Sequence, residues 1–124
     1  MTSWPDGRPH AMPVWGVWDT EQDVFWFTSS LHSRKIRNIS ADPRGTVAIE
    51  NAVDPVIVDG SAEIITELEA RSRLIGLVND KYATDYSVEM LDPSASATVR
   101  VSPHGVFALM QDDFSGSPTR WTFG

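Results

Sequence analysis

Short stretches of alternating apolar and polar side chains are the feature of this sequence that most restricts its fold. HAMPVWGVWD and DVFWFTSS have this pattern on either side of a short acidic turn, and together they predict a β-hairpin. GTVAIEN and PVIVDGSAEII predict a second antiparallel pair, in which Gly60 indicates a bulge or a close backbone approach. TVRVSPHGVFALM and TRWTF add two strands, and about six antiparallel strands favour a small, mainly β barrel.

Two helical segments interrupt these strands. A short helix from about Ser33 to Ala41 follows the second strand and ends before Pro43. The main helix opens near Thr66, which has the spacing of a capping box with Glu69. Its apolar stripe is expected to pack on the sheet and consists of Leu74, Ile75, Val78 and Tyr82.

The composition is that of one ordinary globular domain spanning residues 1–124, with 41% hydrophobic and 22% charged residues. A net charge of −7 argues against a nucleic-acid binder, which normally carries a basic surface over the whole domain. The sequence has no cysteine, no apolar signal region at its N-terminus and no apolar run long enough to span a membrane. We therefore expect a cytoplasmic protein without disulfides.

The segment FTSSLHSRKIRNISADPR, residues 27–44, gathers four of the ten basic residues of this acidic chain. Three of its cations stand in the first turn of the expected short helix, directly after a run of hydroxyl side chains. Cations are unfavourable there unless an anion offsets them, because the N-terminal end of a helix already carries partial positive charge. The segment is therefore either an anion-binding site or a solvated helix face whose cations pair with carboxylates such as Asp42.

Two further segments are candidates for ligand contact. In GRPHAMPVW the chain turns at Asp6-Gly7 and is expected to run as a strand from Arg8 to Trp15. This strand either lies against a flat ring system or is an ordinary barrel strand with a bulge at its second proline. In SPTRW, Arg120 and Trp121 either lie over a ligand or close the barrel.

No combination of a nucleophile, a base and an orienting group is recognisable in the sequence. His10, His32 and His104 have no second ligand at metal spacing, so we predict no metal site. We identify no catalytic residue. If the chain is an enzyme, a cofactor must supply the chemistry.

The order of these segments resembles the flavin/deazaflavin oxidoreductase superfamily, the split β-barrel relatives of pyridoxamine 5'-phosphate oxidase. The resemblance extends from about Asp6 to Phe123, and its most specific part is the hydroxyl-rich turn followed by SRKIRN and DPR. It implies a split β-barrel, a homodimer with cofactor sites at the interface and a small-molecule substrate. Relatives have a helix and a strand before the segment written here DGRPH, so these elements are expected to be missing or shortened.

The resemblance also implies two groups of cofactor-binding residues. The ring contacts are expected from Met12, Pro13, Val14 and Trp15, with Asn51 and Trp121 at the ring edge. The phosphate contacts are expected from Thr28, Ser29, Ser33, Arg34, Lys35 and Arg37, with Lys35 at their centre.

Two cofactors compete for this expected site. FMN-binding pyridoxamine phosphate oxidases usually carry Arg and Lys on the strand written here AMPVWGVW, which has neither. Lys35-Ile36-Arg37-Asn38 and the terminal PTRW look more like the branch that uses the deazaflavin coenzyme F420, which we favour over FMN.

The expected function is an oxidoreductase in which reduced coenzyme F420 donates hydride to an electron-poor organic substrate. One alternative is an FMN-dependent enzyme like pyridoxamine phosphate oxidase. The other is a protein that binds a flavin, F420 or a haem-like ligand without turnover.

Overall fold

The described part of the chain forms eight strands, two α-helices and a short 3-10 helix. The structure is a computed structural model and describes residues 1–14, 16–48, 56–108 and 119–122, with residues 108 and 119–122 described by their backbone. Its strands are β1 (Thr2–Ser3), β2 (Pro9–His10), β3 (Gly16–Asp19), β4 (Val24–Ser30), β5 (Arg44–Ala48), β6 (Val56–Ile65), β7 (Ser96–Ala108) and β8 (Thr119–Thr122). Its helices are α1 (Arg34–Ala41), α2 (Leu68–Tyr82) and a short 3-10 helix (Val88–Leu91).

The sheet has six strands, five of them in the order β3-β4-β7-β6-β5, and the sixth, β8, pairs with β7. One edge of β7 pairs with β6 along residues 98–108. The other edge is divided, because residues 96–101 pair with β4 and residues 105–108 pair with β8. All these pairings are antiparallel. The sheet therefore splits along this edge, and the prediction of a mainly antiparallel split β-barrel is confirmed.

The irregularity predicted at Gly60 is confirmed. The register of β6 against β7 shifts between Asp59 and Gly60. A Cβ atom at position 60 would lie 3.0 Å from the carbonyl carbon of Ser102 and 3.2 Å from the Cα of Pro103. Only glycine lets the two backbones approach so closely at the bulge.

The alternating pattern of β4 separates two hydrophobic clusters. Phe25 and Phe27 face the cluster that lies between the sheet and α1. Val24 and Trp26 face the opposite side, where Leu74 of α2 packs with 1% of its surface exposed. The period of two in DVFWFTSS therefore gives both faces of the strand a buried partner.

Helix α2 is fixed to the β3–β4 hairpin by a buried carboxylate. Asp19 is 1% exposed and accepts hydrogen bonds from the Arg73 guanidinium and from the Trp26 indole, the latter at 3.2 Å. It also accepts backbone N–H bonds from Glu21 and Gln22, and these close the hairpin turn. Because every buried charge must be paired, this contact fixes the position of the helix as well as the turn.

The predicted capping box of α2 is wrong. The helix begins at Leu68, its N-cap residue is Glu67, and no side chain caps it. The guanidinium of Arg71 instead donates to the Thr66 carbonyl at 3.1 Å. The long strand β6 runs to Ile65, so Thr66 lies outside the first helical turn and cannot act as its cap.

The N-terminal residues form a small hairpin beside α1. The tight turn predicted at Asp6-Gly7 is confirmed, since Gly7 has a φ of 90° and its N–H donates to the Trp4 carbonyl at 2.9 Å. The strand predicted from Arg8 to Trp15 is wrong in its length: β2 covers two residues, and residues 11–14 lie in no strand. Pro9 and Pro13 have no N–H to donate, which limits strand pairing on both sides of His10.

The first residue of the chain pairs with the edge strand β5. The N–H of Thr46 donates to the Met1 carbonyl at 3.0 Å, and the Met1 ammonium donates back to the Thr46 carbonyl. Asn38 of α1 donates to the Thr2 hydroxyl at 3.1 Å and so fastens the hairpin to the helix. This edge of the sheet is therefore partly covered. No helix in the described part of the chain is long and apolar enough to cross a membrane.

Candidate functional site

Helix α1 begins beside a group of hydroxyl side chains. Ser33 is its N-cap residue, and its hydroxyl lies 3.2 Å from that of Ser29 instead of capping the helix. The hydroxyl of Thr28 donates to the Ala97 carbonyl at 3.0 Å. Two of the three predicted hydroxyls are thus adjacent at the helix start, whereas the third is bonded to the neighbouring strand.

Arg34, one of the predicted phosphate ligands, stacks on an aromatic ring. Its guanidinium carbon lies 4.2 Å from the centroid of the Trp4 ring. Arg8 approaches the same ring at 4.8 Å, and His10 makes an edge contact with ring centroids 5.6 Å apart. The cation–π contacts connect the N-terminal hairpin to the first turn of α1.

The cations of α1 form no ion pair with a carboxylate of the described residues. Asp42 follows the end of the helix, and its carboxylate accepts hydrogen bonds from the Arg44 guanidinium. These bonds lower the pKa of the Asp42 carboxyl to about 2. Lys35 and Arg37 have no ion-pair partner anywhere in residues 1–14, 16–48 or 56–108. Arg37 is exposed, and Lys35 is half-buried. The described residues therefore do not support the interpretation of α1 as a solvated helix face whose cations pair with carboxylates.

A cavity of about 570 Å³ lies next to the start of α1. Its walls are formed by the hairpin β3–β4, the segment before it, strand β5 and the ends of both helices. The lining residues are Met1, His10, Met12, Pro13, Val14, Gly16, Phe25, Phe27, Lys35, Thr46, Val47, Ala48, Lys81 and Tyr82. The volume is within the range of small-molecule and cofactor sites.

Pro13, Val14 and Met12 line this cavity, as does Lys35 from the predicted phosphate group. The remaining phosphate candidates are not among its lining residues. Trp15 and Asn51 lie outside the described residues, and Trp121 is described by its backbone in β8. The structure thus brings the leading phosphate candidate and three ring candidates to one cavity.

Two lining residues that the sequence did not indicate come from the end of α2. The Lys81 ammonium donates to the Gly16 carbonyl at 2.7 Å, and the Tyr82 hydroxyl donates to the same oxygen at 3.0 Å. The ammonium also lies 5.0 Å from the centroid of the Tyr82 ring. Gly16 is required at this point, because a Cβ there would overlap the Phe25 ring.

The charge of the cavity is positive, although the chain has a net charge of −7. The sequence contains two lysines, Lys35 and Lys81, and both line the cavity. No Asp or Glu is found among its described lining residues. Met1, whose ammonium donates to the Thr46 carbonyl, also lines the cavity. The two lysine ammonium groups beside apolar side chains such as Val14, Phe25 and Phe27 suit an anionic ligand with a large apolar surface.

A second cavity in the described residues is less suited to such a ligand. It has a volume of about 480 Å³, lies between the N-terminal residues and strands β5 to β7, and contains a Ser61–His104 contact of 2.9 Å. Its lining carries both signs of charge, from Arg44 and from Asp59, whose carboxylate accepts a hydrogen bond from the Thr46 hydroxyl at 2.7 Å.

The described residues contain no group of three or more His, Cys, Asp or Glu side chains that could hold a metal ion.

The split antiparallel sheet is that of the flavin-binding class of split-barrel proteins. The sequence profile described as pyridoxamine 5'-phosphate oxidase matches residues 1–110. The chain therefore belongs to the pyridoxamine 5'-phosphate oxidase family, whose members are flavin-binding split barrels and typically oxidoreductases. No curated protein matches the sequence.

Several solved structures resemble the chain. A conserved hypothetical protein from Mycobacterium tuberculosis is 26% identical, with a TM-score of 0.75 over 99% of this chain and 81% of that one. A structure described as an F420 reductase is 26% identical, with a TM-score of 0.64 over 85% of this chain and 83% of that one. An FMN-binding, pyridoxamine 5'-phosphate oxidase-related protein from Nostoc punctiforme is 14% identical, with a TM-score of 0.65 over 97% and 75% of the two chains, which shows a shared fold.

The residues present fit a flavin-type cofactor. Its ring needs apolar walls, which Pro13, Val14 and the two phenylalanines supply, and its phosphate needs cationic donors, which the lysines supply. The hydroxyls of Ser29 and Ser33 are additional donors near the start of α1.

Proposed function

We propose that this protein is an oxidoreductase that uses coenzyme F420 to reduce an electron-poor organic substrate. The observation that carries the proposal is the convergence of both lysines of an acidic chain on one apolar-walled cavity that no described carboxylate lines. The likeness to the structure described as an F420 reductase, at 26% identity, supports F420 in particular.

In this proposal Lys35 holds the phosphodiester of the cofactor. Its ammonium stands on the first turn of α1, where the free N–H groups and the helix dipole add to the attraction for an anion. Ser29, Ser33 and Arg37 are proposed to complete the phosphate site, with Thr28 at its border. Arg34 is proposed to contribute from its position on Trp4, which restricts the guanidinium.

Met12, Pro13 and Val14 are proposed to lie against the ring, with Trp15 beside them and Asn51 and Trp121 at its edge. The rigid Pro13 backbone offers a flat surface, and Phe25 and Phe27 add apolar wall that excludes water. The bound cofactor would supply hydride transfer, while the chain orients the ring and keeps the reaction dry.

The cofactor sites are proposed to lie at the interface of a homodimer in the cytoplasm. Met1 and Met12 line the cavity with 57% and 55% of their surface exposed, and a partner chain that covers the cavity would bury both apolar side chains. Sedimentation velocity is expected to give twice the chain mass, and a monomer that binds F420 fully would contradict the dimer.

The FMN-dependent alternative predicts the same cavity, so a direct comparison separates the cofactors. The purified protein is titrated with F420 and with FMN, and binding is followed by fluorescence. Tighter binding of F420, together with oxidation of separately prepared reduced F420 when nitroaromatics, quinones or enones are added, supports the proposal. Tighter binding of FMN favours the alternative, and binding without reduction of any acceptor indicates a carrier protein.

A further inference from the structure

The ammonium of Lys81 is the feature of the cavity that the phosphate site does not require. It lies on α2, far along the chain from the α1 residues proposed to hold the phosphate. Its acceptor is the backbone carbonyl of Gly16, an uncharged partner. Within the described residues, no carboxylate forms an ion pair with it. A cation placed in this way is free to favour negative charge on whatever occupies the cavity.

The position of Lys81 is restrained by two contacts. Its ammonium donates to the Gly16 carbonyl, which also accepts from the Tyr82 hydroxyl, and it lies 5.0 Å from the Tyr82 ring centroid. Gly16 is buried and lies in β3, where it pairs with Phe27 of β4, so that its backbone is held by the sheet. Lys81 itself is exposed, so its charge acts at the mouth of the cavity, where water partly screens it.

We infer that Lys81 is a specificity-determining residue that selects a cofactor whose ring is ionised. This inference rests on the proposed function. Coenzyme F420 carries an acidic hydroxyl conjugated with its deazaflavin ring, whereas the oxidised ring of FMN has no such hydroxyl and is neutral. A second ammonium beside the apolar walls therefore stabilises the ionised F420 ring and gives little advantage to FMN.

Cofactor affinity and the pKa of the bound ring hydroxyl are linked if Lys81 prefers the ionised ring. If Lys81 binds the ionised ring more tightly than the neutral one, the pKa of the bound ring hydroxyl must fall by the logarithm of that ratio. A preference of about tenfold then corresponds to about one pKa unit. Affinity and absorption spectrum thus report the same interaction independently.

The test measures the dissociation constants of F420 and FMN for the full chain and for Lys81→Met, Lys81→Arg and Arg71→Met. Lys81→Met is expected to weaken F420 binding about tenfold, the lower end of the effect of one lost hydrogen bond to a charged group, with FMN binding nearly unchanged. Lys81→Arg keeps the charge and is expected to keep the preference. Arg71→Met removes one charge from the same helix but away from the cavity, and it is expected to change neither affinity.

The absorption of bound F420 is then followed between about pH 5 and 8. The apparent pKa of its hydroxyl is expected to be about one unit higher in Lys81→Met than in the unaltered chain. An unchanged pKa, or an equal loss of affinity for F420 and FMN, overturns the inference while leaving the proposed function intact. If the unaltered chain binds neither cofactor, the proposed function fails, and the inference fails with it.

Discussion

The guanidinium of Arg34, on the first turn of α1, lies over the indole of Trp4, at 4.2 Å from the ring centroid. Because Arg8 lies against the same ring, Trp4 connects the N-terminal hairpin to the helix that is proposed to hold the phosphate. Trp4 thus restrains Arg34, one of the candidate phosphate ligands, from outside the helix.

Replacement of Trp4 tests this connection. Trp4→Ala is expected to lower the free energy of unfolding by about 1–2 kcal/mol, since each exposed cation–π contact contributes about 0.5–1 kcal/mol. Urea denaturation measures the change, and Trp4→Phe, which keeps an aromatic face, is expected to lose less than half as much. Equal losses in the two variants would contradict a cation–π contribution.

Lys35 is expected to dominate the phosphate site. Lys35→Ala should weaken F420 binding by about 1.5–3 kcal/mol, the magnitude of a charge-assisted hydrogen bond, with little change in stability. Arg37→Ala is the matched comparison, because Arg37 is a cation of the same helix that is exposed and does not line the cavity. Fluorescence titration should show a clearly smaller effect for Arg37→Ala, and the reverse order would contradict the central role of Lys35.

The buried Asp19–Arg73 pair should make stability depend on pH. Hydrogen bonds from Arg73, with smaller contributions from the Trp26 indole and the Gln22 N–H, hold the pKa of the Asp19 carboxyl far below its ordinary value despite its burial. Because the folded pKa is depressed, the stabilisation is fully present above the unfolded value of about 3.9 and is lost as the pH falls below it. Chemical denaturation at a series of acidic pH values should show this decline.

Asp19→Asn is expected to lower the free energy of unfolding by about 2–4 kcal/mol at neutral pH, because it leaves Arg73 without its buried partner. The same variant should show a flatter loss of stability below about pH 4. Asp85→Asn, at an exposed position, serves as the control and is expected to retain the acid dependence of the unaltered chain. An undiminished acid dependence in Asp19→Asn would show that other carboxylates cause it.

Replacing glycine with alanine is expected to have opposite effects on stability at Gly60 and at Gly76. Gly60→Ala places a methyl group against the backbone of Ser102 and Pro103 in β7 and is expected to destabilise the protein by about 1–3 kcal/mol. At Gly76 on α2, the new Cβ would have no atom within 4 Å apart from its chain neighbours and the backbone of its own helix, and Gly76→Ala is expected to stabilise the protein by about 0.5–1 kcal/mol. Thermal unfolding of both variants checks the signs, and stabilisation by Gly60→Ala would contradict the tight bulge.

The sequence predicted the barrel well because its strands alternate clearly. DVFWFTSS has a period of two that places Phe25 and Trp26 in different clusters, and Gly60 indicated the bulge that the register shift confirms. Strand β1 was not predicted, and β2 was predicted too long, because a two-residue pairing has no periodicity to detect.

The cavity could be predicted only in part. Lys35 and Pro13 belong to local motifs and were found, whereas Lys81 and Tyr82 stand near the end of an amphipathic helix. There a lysine indicates a solvated face, and Tyr82 extended the apolar stripe that packs on the sheet. The contact that brings both side chains to Gly16 spans 65 and 66 positions of sequence, and it is set by the packing of α2 on the hairpin.

A crystal structure of the protein grown with coenzyme F420 tests the central claim most directly. We predict that the deazaflavin ring lies beside Pro13 and Val14 and that a phosphodiester oxygen of the cofactor lies within about 3 Å of the Lys35 ammonium. A cofactor bound outside this cavity, or one whose phosphodiester is held without Lys35, would contradict it.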